Sequence, residues 1–157
     1  MPFLLRAQTV TPAGSNDRPI EDCSLDYDAR FVRRKVLMSD SGTRFLVDLA
    51  QTTSLGHGDT LPLSDGTHIR IIAAPEPVLR VTGSNLVQLA WHIGNRHTPC
   101  QITPDALIIR DDPVIRHMLE HLGAQVTKAM QPFTPEGGAY GYGRTHGHAH
   151  GATAHDH

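Results

Sequence analysis

At Pro75-Glu76-Pro77 the spacing of apolar residues changes character, and that change limits the folds open to this chain. Before it, from Arg30 to Ala74, short β-branched and apolar runs alternate with turn residues. Phe31 to Leu37, Thr43 to Leu49, Asp59 to Leu63 and His68 to Ile72 read as strands. Ser41-Gly42, Gly56-His57-Gly58-Asp59 and Asp65-Gly66 supply the turns between them. The expectation is a small antiparallel barrel or sandwich, ended by a stiff Pro-Glu-Pro junction.

After the junction, helical and strand periods alternate. Val78 to Thr82 is a strand, and Leu86, Leu89, Ala90 and Ile93 share one face of a helix that Gly94 is expected to end as a left-handed cap. Cys100 to Thr103 and Ala106 to Arg110 form two strands turned at Pro104-Asp105. Asp111 or Asp112 caps a second helix with Pro113 in its first turn and Ile115, Met118, Leu119 and Leu122 as its apolar face. Gly123 stops it, and Ala124 to Met130 returns as a strand. Strand, helix, strand, strand, helix, strand is the split βαβ, ferredoxin-like order. The fold class expected is α+β: a β-rich N-terminal domain (1–75), a ferredoxin-like domain (76–136) and a flexible Gly/His-rich tail (137–157).

That tail holds the strongest chemical signal. Five of the 11 histidines, His146, His148, His150, His155 and His157, are spaced by Gly, Ala, Thr and Asp, unlike the uninterrupted run of a purification tag. Imidazole is the commonest ligand of borderline cations such as Ni2+, Cu2+ and Zn2+. A chelating tail recruits ions without fixing their geometry, which suits a carrier or reservoir. His92 and His97 flank the end of the first helix. One imidazole cannot hold such an ion firmly, but a two-fold dimer built on this helix would set His97 beside its symmetry mate. The plainer alternative is a His97 that only favours the helix end with its charge. For Val87 and Trp91, off the apolar face, an exposed aromatic and a subunit contact are equally open. His117 and His121 stand four apart off the second helix's apolar face and read as exposed histidines; His57 and His68 fall in or beside turns. Cys100 reads as packing at a strand entrance rather than as a soft ligand.

Several function classes are excluded. A net charge of −2 offers no general attraction to nucleic acid or anionic lipid, and Val78 to Thr82 and Ala106 to Arg110 carry no aromatic platform for RNA bases. Nucleophile-elbow, phosphate-loop and Cys-x-x-Cys patterns do not occur, and mobile histidines cannot preorganise the three fixed ligands of a catalytic zinc, so no enzyme is expected. The apolar run Phe3-Leu4-Leu5 is too short for a signal peptide or membrane span, which with two cysteines points to a cytoplasmic protein holding reduced thiols.

The chain resembles the UreE family of urease accessory nickel chaperones. The likeness is carried by Leu55-Gly56-His57-Gly58-Asp59-Thr60-Leu61, Ala73-Ala74-Pro75-Glu76-Pro77-Val78-Leu79, His92-Ile93-Gly94-Asn95-Arg96-His97-Thr98-Pro99, Met118 to Ala124 and Phe133-Thr134-Pro135-Glu136-Gly137-Gly138-Ala139-Tyr140-Gly141, joined to the His-rich terminus. The resemblance implies a homodimer, His97 as principal Ni2+ ligand at its axis, tail histidines that complete or feed the site, and delivery to the GTPase UreG and the apo-urease complex. Where some relatives carry a peripheral histidine pair, this chain has Asp111 and Asp112. The competing function is general storage of zinc, copper or nickel, resting on the tail alone. Because imidazoles must shed a proton to bind, Ni2+ affinity is expected to fall as pH drops through roughly 6 to 6.5, which calorimetric titration across pH would check.

Overall fold

A computed structural model describes residues 4–14, 18–19 and 21–137. The chain divides into two compact units, Met1–Ala74 and Pro75–His157. No helix among the described residues is long and apolar enough to cross a membrane.

The first unit has two three-stranded sheets. Their strands are β1 (Leu5–Ala7), β2 (Glu21–Leu25), β3 (Phe31–Met38), β4 (Arg44–Ser54), β5 (Thr60–Pro62) and β6 (His68–Ala73), in the orders β1-β4-β3 and β2-β6-β5. Alternation does the folding: Phe45, Val47 and Leu49 on β4 and Ile69, Ile71 and Ala73 on β6 are buried at every second position. All but Ala73 join Cys23, Val32, Leu37 and Leu61 in one apolar cluster. The architecture departs from the expected antiparallel sandwich, because β1 pairs with β4 and β2 with β6 in parallel. Both parallel strands lie before Arg30, where short runs carry too little alternation to be read locally. Glu21, opening β2, accepts hydrogen bonds from the hydroxyls of Ser39, Ser41 and Thr43, so it ties down the turn between β3 and β4. Those hydroxyls hold its carboxyl below the usual range. His57, though exposed, accepts the Ala73 amide at Nδ1 over 3.1 Å, a structural use of the imidazole.

The second unit runs β7 (Pro75–Thr82), α1 (Leu86–Asn95), β8 (Gln101–Ile102), β9 (Leu107–Arg110), α2 (Pro113–His121) and β10 (Gln125–Pro132). This is the element order expected from the sequence. The strands lie in the order β10-β7-β9-β8, with every pairing antiparallel. Leu79, Val81, Leu107 and Ile109 on the sheet meet Leu89 and Ile93 of α1 and Ile115 and Leu119 of α2. Pro75-Glu76-Pro77 stands at the boundary between the two units and is also the start of β7, paired with Pro132, Gln131 and Met130. Both prolines fall on the alternate positions that look away from β10, and β9 ends opposite Val78, so their missing N–H groups cost the sheet nothing.

Cys23 and Cys100 are free thiols. Burial pushes each up to about 11, reinforced by the Asp40 carboxylate at Cys23 and by Glu136 at Cys100. Neither offers a ready thiolate near neutrality. Alkylation of both in the native chain at pH 8 is expected to be roughly two orders of magnitude slower than in denaturant, as a timed iodoacetamide reaction would show.

Candidate metal centre

The two helices of the second unit end in the same backbone device with different residues. At the end of α2, Gly123 N–H donates to Glu120 O and Ala124 N–H to Leu119 O, each at 3.0 Å, with Gly123 at φ 92°. At the end of α1, His97 N–H donates to Gly94 O at 2.9 Å and Thr98 N–H to Ile93 O at 3.3 Å. His97 has φ 58° and is the one non-glycine residue with positive φ among the described residues. Both are Schellman ends, whose left-handed position glycine ordinarily takes because it has no Cβ to strain. Gly94 therefore is not the left-handed cap expected from the sequence. It stays helical, and the cap falls three residues later on a side chain with coordinating nitrogens.

His97 lines a concavity of about 360 Å3 with Arg96, Thr98, Pro99, Arg110, Asp112, Val114 and Ile115. Asp112 Oδ1 accepts the Val114 and Ile115 amides at 2.8 and 3.2 Å as the N-cap of α2. Asp111 is exposed. His92 is half-buried, edge-on to the Trp91 ring at 5.1 Å, and lines a different concavity with Asn85, Gln88, Leu89 and Leu122. The structure thus sets His92 and His97 in separate hollows. No three of His, Cys, Asp or Glu gather into a metal-holding group among the described residues. His146, His148, His150, His155 and His157 lie outside those residues.

Two features of the surroundings bear on the site, the first anticipated by spacing and the second not. One is the exposed flank of α1: Val87 and Trp91 are 86% and 62% exposed, and Gly94 continues their stripe with open space where a Cβ would stand. The other is the exit of the chain toward its terminus. Glu136 N–H donates to Cys100 O at 2.9 Å and Thr134 N–H to Gln101 Oε1 at 3.0 Å, pinning that exit within a few residues of His97.

Comparison with known proteins gives this geometry its context. Residues 5–74 match the N-terminal domain and residues 76–157 the C-terminal domain of the UreE urease accessory protein family. The chain belongs to the UreE family. Proteins named urease accessory protein UreE include one from Ruegeria sp. (strain TM1040), 61% identical over 132 residues, which span 83% of this chain and 75% of the relative. That of Rhodobacter capsulatus is 54% identical over 96% of both chains, and that of Chelativorans sp. (strain BNC1) 48% identical over 98% of this chain and 99% of the relative. As a UreE, the chain is an accessory protein of urease maturation and not an enzyme.

Proposed function

We propose that this UreE is a cytoplasmic nickel metallochaperone. Two copies pair through the second unit, their His97 imidazoles grip one Ni2+, and the ion passes to the GTPase UreG and the apo-urease complex. The observation that carries this reading is His97 itself: a coordinating side chain occupies a left-handed backbone position whose strain glycine would relieve. Retaining histidine there at a cost to the fold points to a use for its nitrogens.

The flank of α1 supports the pairing. Val87, Trp91 and Gly94 form a stripe that leads to His97, and an exposed tryptophan beside a bare glycine suits close helix approach across a two-fold axis. Glycine inside a helix costs about 1 kcal/mol relative to alanine, and no described residue within 4 Å requires it at position 94. His92, next to Trp91, stands ready to orient or join the shared site.

The tail supplies the exchangeable ligands. From its anchor at Glu136, the ten residues to His146 reach at most about 35 Å when extended, enough for tail imidazoles to visit His97 of either copy. A shared site with an incomplete outer ligand set can hold an ion and still release it to a partner. Storage of zinc or copper by the tail alone would need none of this helix-end geometry.

Charging the α1 flank tests the pairing. Val87→Asp with Trp91→Glu is expected to give a monomer by sedimentation that loses the tight nickel site but keeps the weaker tail sites. A charged variant that remains dimeric, or a monomer that retains tight binding, would contradict it.

A further inference from the structure

His117 and His121 lie outside the site described above, and the structure shows three things about them together. Both are on α2, both are exposed, and neither imidazole has a hydrogen-bond or ion-pair partner among the described residues. Residues four apart on a helix stack on one face, a turn apart, the spacing at which two imidazoles close on one cation. Glu120 is paired with Arg116, whose Nε donates to Oε2 at 3.3 Å.

Position along the helix adds to this. Val114 lines the His97 concavity, and positions 114, 117 and 121 follow the i, i+3, i+7 stripe of one flank. His117 and His121 therefore stand about 4.5 and 10.5 Å along the axis from that concavity's wall. His121 is also in the last turn, where the carbonyl end of the helix favours positive charge.

We infer that His117 and His121 form a second, two-donor site for a borderline divalent cation (Ni2+, Cu2+ or Zn2+) on the surface of α2. Water completes its coordination, so ions there exchange faster than at a site with more protein donors. Its place, one to two turns from the His97 hollow on the same flank, makes it a landing point beside that hollow. The inference rests on α2 alone and holds whether or not His97 is shared between copies.

Copper is the probe of choice for the test, because it binds imidazole most strongly of these ions and broadens nearby amide resonances. Full-length chain is titrated with Cu2+ and followed by NMR alongside His117→Gln and His121→Gln, both of which keep a good helix former. The amides of His117 to Gly123 are expected to broaden in the native chain. Each variant should need roughly tenfold more copper for the same broadening, while the response around Arg96 to Pro99 is unchanged. Sharp α2 signals at all ratios, or equal broadening in both variants, would overturn the inference. A failure of the His97 site would show separately, as absent broadening at Arg96 to Pro99.

Discussion

His97→Ala is expected to weaken the tightest nickel binding by two to three orders of magnitude, about 3 to 4 kcal/mol, measured by calorimetry on the full-length chain. The size of the effect follows from symmetry. One substitution removes a donor from each copy, and the described residues hold no group of three ligands that could take over. What remains is the tail and the two-donor pair His117 and His121, whose weaker sites should titrate much as before. Excess nickel in the medium should then restore urease activation in cells carrying the variant, because supply by mass action bypasses a carrier. Unaltered tight binding in His97→Ala would remove the proposed transfer centre.

His97→Gly should separate folding from function in one substitution. Glycine relieves the left-handed strain at φ 58° and keeps both Schellman hydrogen bonds, so the second unit gains about 0.5 to 1 kcal/mol. A gain of that size raises the unfolding midpoint by a few degrees for a unit this small. The same variant should lose tight nickel binding as completely as alanine does. The end of α2 is an internal control, since it has the same device with Gly123 already in place. Gly123→His is therefore expected to destabilise by a similar amount without creating a tight site. If His97→Gly melts lower than the native chain, the strain argument is wrong even should the metal argument hold.

These helix ends also show where sequence was informative and where it was not. The limits of α2 were legible because each signal is local: Asp112 caps it, Pro113 occupies its first turn and Gly123 takes the left-handed position. The end of α1 was misplaced at Gly94 by the same rule, because histidine fills the position for which the rule expects glycine. A violation of local propensity at a candidate ligand is what function laid over folding should produce. The strands β1 and β2 were missed for a different reason. Three and five residues long, they are defined by parallel partners some 40 to 50 residues away in sequence rather than by a pattern of their own. Pro75 and Pro77 read as breakers until the sheet shows that their missing donors face an unpaired edge. As for the site, spacing alone left His97 open between a helix-end charge and a shared ligand, and the family resemblance singled it out, whereas its backbone conformation, the separate hollow of His92 and the anchoring of Glu136 beside Cys100 are tertiary facts.

The proposed function stands on one cation held between two copies of His97. The most direct measurement is nickel stoichiometry by native mass spectrometry on a full-length chain whose five tail histidines, His146, His148, His150, His155 and His157, are replaced by alanine. At low nickel, one tightly held ion per two chains is expected, lost when His97→Ala is added. One ion per chain, or an ion that survives His97→Ala, would contradict it.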